Sequence, residues 1–134
     1  MANEATKIVL LGNKGNPVEY TIAAGAVIPK GSIMKISASP QTCAIATANG
    51  DLIAGIASTE STATDTFTKL ALWTHGVFDM YSTTGMTLGA TQKIEGTNAI
   101  TDADDDTVAK RNEVVGMALE TVGALGTGAV LINL

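Results

Sequence analysis

Cysteine, histidine and aromatic side chains are scarce in this sequence, and each shortage narrows what the chain can do. A single cysteine, Cys43, excludes an internal disulfide and a cysteine-based zinc cage. A single histidine, His75, excludes a multi-histidine metal centre. Aromatics make up 4% of the residues, with one Trp and two Tyr, which leaves little to stack on sugar rings and argues against a carbohydrate-binding module. Eight basic residues stand against thirteen acidic ones, a net charge of −5, so there is no phosphate-binding footprint and no nucleic-acid partner is expected. Long apolar runs are missing too. Near the N-terminus the longest is Ile8 to Leu11, far short of the ~20 residues of a spanning helix. Met1-Ala2-Asn3-Glu4 lacks the basic start of a signal peptide. The sequence therefore predicts a soluble intracellular product with no membrane partner.

What remains is 134 residues, 46% apolar and only 16% charged, with a mean hydropathy of +0.26. One domain of this length buries about two thirds of its unfolded surface. Thr and β-branched residues dominate, and Gly or Pro recurs at short intervals, which predicts many short strands in a sandwich or small barrel. Expected strands are Lys7 to Leu11, Val18 to Ile22, Ser32 to Ser37, Thr42 to Thr47, Leu52 to Ser58, Phe67 to Trp73, Val77 to Tyr81, Glu113 to Leu119 and Ala129 to Leu134. Gly76 should break the chain between two of them. Asn49-Gly50 is the clearest local signal and predicts a type I′ hairpin, because Asn and Gly tolerate positive φ best. Residues 102–112 predict the one short helix, with Thr101 or Asp102 as cap, acids in the first turn and Lys110-Arg111 in the last. Met1 to Thr6 has no periodicity and reads as a loose arm.

One internal similarity stands out. Asp51-Leu52-Ile53-Ala54-Gly55-Ile56-Ala57 followed by Leu70 to Trp73 parallels Glu113-Val114-Val115-Gly116-Met117-Ala118 followed by Val130 to Ile132. A glycine in mid-strand predicts a bulge or a close backbone approach at both places.

The chemical candidates are few. Asp102, Asp104, Asp106 and Glu113 occupy positions 1, 3, 5 and 12 of a calcium loop. Thr107 stands where that loop needs glycine, and the flanks are not helices, so an acidic helix start explains the same residues without a metal. His75, Asp79 and Ser82 are the residue types of a hydrolase triad, but a strand would splay them along its length. Cys43 has no basic neighbour to activate it. Gly12-Asn13-Lys14-Gly15 lacks the following helix of a phosphate loop. Trp73, Phe67, Phe78 and Tyr81 read as core anchors. The residues point to a non-catalytic chain with no cofactor, whose excess apolar surface is covered by copies of itself or by a larger lattice.

The stretch Gly25 to Ile36, Asn49-Gly50, Ala54-Gly55-Ile56-Ala57, Thr66 through Gly76-Val77-Phe78, and Val115-Gly116-Met117-Ala118 to Leu134 resemble the small head decoration (cement) proteins of tailed phages, the lambda head decoration protein D family. The resemblance covers about residues 20–134. It implies a β-tulip fold and a homotrimer on the local threefold axes of the expanded capsid. It places the protein on the outer surface of the virion, after assembly in the host cytoplasm, with the major capsid protein as partner. It also implies an N-terminal arm that orders on the capsid. Carried over, residues 1–17 are the arm and 18–134 a single β-rich domain, with Ala2, Asn3, Glu4, Ala5, Thr6, Lys7, Ile8, Val9 and Leu10 as capsid contacts. The chain is longer than the lambda protein, with an extended N-terminus and an insertion around Asp102. A head-fibre or tail-associated β-domain is the alternative.

Overall fold

The computed structural model describes residues 3–9, 17–66, 68–103 and 113–134. Among them the chain is all β, with eleven strands and no helix, as its β-branched, Thr-rich composition predicts. Strands β2 (Val18–Thr21), β3 (Ile33–Ile36), β4 (Cys43–Ile45), β5 (Ile53–Ala57) and β6 (Lys69–Trp73) form one sheet in the order β2-β6-β5-β3-β4. After Thr74 the chain enters a second sheet, built from β7 (His75–Ser82), β8 (Thr91–Gly96), β9 (Ala99–Asp102), β10 (Val114–Ala118) and β11 (Gly126–Asn133). Its order is β7-β11-β10-β8-β9, with β1 (Thr6–Val9) added outside β7.

The two sheets are the same motif built twice. Replacing β2 to β6 by β7 to β11 turns the first strand order into the second. The registers correspond residue by residue. Lys35 faces Ile53 and Met34 faces Gly55 in the first unit; Lys93 faces Val114 and Gln92 faces Gly116 in the second. Each register skips one residue of the longer side, so Ala54 and Val115 are equivalent bulges, each just before its glycine. Parallel bridges, Thr21 to Thr42 and Tyr81 to Ala99, join the first strand to the third in both units and curl each sheet toward a small barrel. The internal similarity read from the sequence is therefore a structural repeat of five strands.

The mid-strand glycines show why the repeat kept them. A Cβ on Gly55 would sit 2.7 Å from the Trp73 carbonyl oxygen, and one on Gly116 would run into the carbonyl oxygen of Leu131, the equivalent residue. The bulge drives each glycine onto the neighbouring strand's backbone, and hydrogen is the only side chain that fits.

Burial follows this plan. Ile22, Ile28, Met34, Cys43, Ala54, Ala57, Leu70 and Leu72 fill the first unit. A larger cluster fills the second with Phe78, Met80, Met86, Ile94, Ile100, Val115, Ala118, Val130 and Ile132. That cluster also takes in Ile33, Ala46, Ile53 and Ile56 from the first unit, so one core spans both. All five residues of β5 are buried, because its two faces serve different clusters.

Several expectations need correction. Asn49-Gly50 makes a turn but not a hairpin, since β3 lies between β4 and β5. Only Gly50 has positive φ, at 81°, and the Asp51 N–H donates to the Ala48 carbonyl at 3.2 Å, the pattern of a type II turn. Gly76 does not interrupt the chain but lies inside β7, paired with Ile132. Strands β8 and β9 had no counterpart in the sequence reading. Of the expected helix over 102–112, Asp102 closes β9, and residues 104–112 lie outside the described residues.

Candidate functional site

The expected arm, as far as it is described, lies on the body. Asn3 is exposed, with φ of 68°. Ala5 is buried, and its N–H donates to the Gly31 carbonyl at 2.6 Å. A Cβ at residue 31 would collide with the Ala5 carbonyl oxygen, so Gly31 is what lets the arm seat there. Beyond Ala5, β1 pairs antiparallel with β7, Thr6 opposite Asp79 and Lys7 opposite Phe78, with a register shift before Val9 meets Val77. Of the expected contact residues Ala2 to Leu10, residues 3–9 are thus described, with Ile8 inside β1; Ala2 and Leu10 lie outside the described residues.

Strand β1 ends the six-stranded order, so among the described residues its outer edge carries no neighbouring strand. Unpaired backbone N–H and C=O groups along such an edge are a template for one more strand. Beside the arm root is a cleft of about 470 Å³ lined by Glu4, Ala5, Thr6, Lys30 and Trp73. The Lys30 ammonium sits 5.8 Å from the Trp73 ring centroid, within reach of a cation–π attraction, and the Trp73 ring packs at 5.8 Å on Phe78 of the second unit. Nothing in the local sequence pattern marks Lys30 and Gly31 as the seat of the arm.

The calcium candidates do not converge among the described residues. Asp102 accepts hydrogen bonds from Gln92 Nε2 at 2.7 Å, from Thr87 Oγ1 at 2.8 Å and from the Thr87 N–H at 3.1 Å. Burial works to raise its carboxyl pKa, and the hydrogen bonds from Gln92 and Thr87 outweigh it, so the group is held below its ordinary value. Asp102 thereby ties β9 to β8 and to the loop before it. The Glu113 carboxylate lies over Gly50, 3.0 Å from where a Cβ would stand. Asp104 and Asp106 lie outside the described residues. No cluster of three or more potential ligands occurs among those described.

The triad residue types also stay apart. His75, Asp79 and Ser82 all lie on β7, which at roughly 3.3 Å per residue puts His75 and Asp79 about 13 Å apart. His75 is buried, its Nδ1 without a hydrogen-bond partner among the described residues. The Ser82 hydroxyl donates to the Gly85 carbonyl and accepts from the Gly85 N–H, both at 3.0 Å, which makes it a turn brace. Burial pushes the Cys43 thiol up to about 11, the opposite of activation.

Comparison with known proteins agrees with a structural reading. The fold is similar to the crystal structure of the N base of head fiber gp8.5 in bacteriophage phi29, with a TM-score of 0.58 at 13% identity, covering 87% of this chain and 94% of that one. No curated protein matches significantly. The sequence pattern of the phage cement protein family matches residues 12–134. That match takes in both five-stranded units, from before β2 to the last residue, and on it the chain belongs to the phage cement protein family.

Proposed function

We propose that this chain is a structural protein of the phage head that binds the outer surface of the expanded capsid, as trimers on local threefold axes, and stabilises the shell. The observation that carries the reading is the family match across both units. A cement subunit works by mass action: it binds the expanded shell and not the unexpanded one, so bound copies shift the balance toward the expanded form. Three arms on one trimer act together, so weak contacts add through effective concentration. The acidic balance of −5 suits an outer surface, away from packaged DNA.

The arm supplies the contact. Residues 3–9 run beside the second unit, and among the described residues one edge of β1 carries no neighbouring strand, which supports addition of a strand of the major capsid protein there. No reaction is involved, and the separated His75, Asp79 and Ser82 fit that reading.

The test is co-sedimentation of the purified chain with expanded and unexpanded shells. The full chain pellets only with expanded shells. Deleting residues 1–7 leaves a folded body by circular dichroism but abolishes binding. A truncated chain that decorates expanded shells with undiminished affinity overturns the arm's role, and equal binding to both shells overturns the cement reading. The likeness to a head-fibre base favours a second reading, a β-domain at the foot of a fibre. A compact trimer by mass measurement supports cement, and a long fibrous oligomer supports the fibre base.

A further inference from the structure

Among the described residues, the repeat leaves one half of an interface partly exposed on each unit. Inside the molecule, the outer face of the first unit packs against the second. Its centre is a row directly across three strands, Trp73, Ile56 and Ile33, with Ile53 beside it. Ile33, Ile53 and Ile56 are buried in one cluster with Phe78, Ile94 and Ile132 of the second unit, and Trp73 packs against that cluster. The Gly50 N–H donates to the Ile94 carbonyl and the Ile33 N–H to Asn98 Oδ1, both at 3.0 Å, which pins the contact.

The same row exists on the second unit. Leu131, Met117 and Thr91 lie across β11, β10 and β8 in the same register, with Val114 where the first unit has Ile53. Among the described residues it is less covered: Met117 is 40% exposed where its equivalent Ile56 is fully buried, and Leu131, Thr91 and Val114 are half-buried. The complementary side is also partly exposed among the described residues. Phe78 and Ile94, which receive the first unit, are fully buried; their equivalents Val18 and Ile36 are 39% and 49% exposed. An apolar face on the second unit and an apolar seat on the first are therefore the two partners of a contact the chain already makes once internally.

We propose that the Met117 face of one copy docks on the Val18–Ile36 seat of the next, repeating between chains the contact made within each. Such an interface is heterologous, head to tail, and closes into a ring when its rotation permits. The proposal deepens the trimer named above by assigning its contact, and it does not depend on capsid binding.

Sedimentation of the full chain alone tests it. Wild type runs as a multimer. Met117→Glu and Ile36→Asp each place a charge in an apolar contact and weaken self-association by at least about tenfold, down to single chains. Both sites are exposed within one chain, so thermal unfolding of the dilute variants matches wild type; Val18→Lys serves as a second seat variant. An equimolar mixture of M117E and I36D forms a two-chain complex, because M117E keeps an intact seat and I36D an intact face. A wild type that stays a single chain overturns both this contact and the trimer. A multimer indifferent to all three substitutions overturns the contact and leaves the trimer standing. A mixture that does not pair overturns the head-to-tail arrangement.

Discussion

Replacing Gly116 by alanine is the sharpest probe of the repeated bulge. The new methyl group would run into the carbonyl oxygen of Leu131 and lie 3.3 Å from the Ile132 Cα. These atoms belong to the backbone of β11, which is held on its far side by β7 across eight paired residues. The clash can be relieved only by parting β10 from β11 near the Gly116–Ile132 and Met117–Leu131 pairs. Overpacking of this kind costs about 1–3 kcal/mol. One ladder hydrogen bond lost with it adds about 1 kcal/mol. The expected destabilisation is about 2–4 kcal/mol, a large share of the 5–15 kcal/mol typical of a domain. At roughly 3 °C per kcal/mol, the unfolding midpoint falls by about 6–12 °C. Gly96 supplies the control, since a Cβ there meets nothing within 4 Å, and Gly96→Ala stays within about 0.5 kcal/mol of wild type. Thermal and urea unfolding read both variants. If G116A melts within about 2 °C of wild type, the close approach at the bulge is not what the glycine serves.

Two further outcomes follow from the titrating groups. The Asp102 carboxyl is held below its ordinary 3.8, so its contribution to stability is present above that pH and is lost as pH falls through the lower folded value. Asp102→Asn is therefore less stable than wild type at neutral pH, and the gap narrows as unfolding is measured below 3.8; a gap independent of pH refutes the linkage. Cys43, buried and with its thiol raised to about 11, stays unmodified by an aromatic disulfide reagent at pH 8 until the chain is unfolded in denaturant; rapid reaction of the native protein refutes its placement.

Much of the strand content was legible because alternation and β-branching are local. Val18 to Ile22, Leu52 to Ser58 and Glu113 to Leu119 each contain an observed strand, trimmed at its ends where pairing stops. The glycines at 55 and 116 signalled their bulges in the same way. Strands β8 and β9 were not legible, because Thr91-Gln92-Lys93 reads as polar; Gln92 is nevertheless fully buried, its amide held by Asp102 and the Ala90 carbonyl. The Asn49-Gly50 hairpin failed for a different reason. A dipeptide can specify that the chain turns, but which strand lies beside which is settled by distant partners, and β3 took the place next to β5. At the candidate site, the lack of periodicity in Met1 to Thr6 predicted a loose arm, whereas Ala5 is buried and hydrogen-bonded to Gly31 and β1 pairs with β7, contacts with distant residues that no local pattern marks.

Composition and short-range pattern alone determined that this chain is β-rich, acidic, poor in catalytic residue types, and internally similar around two glycines. Those properties depend on neighbours a few positions apart. Only the tertiary structure decided that the similarity is a complete five-strand repeat, and that Ile56 is buried while its equivalent Met117 is exposed. The two residues occupy the same local environment. What separates them is whether another unit lies across the face, and burial is a property of the surface that arrives, not of the strand that presents it.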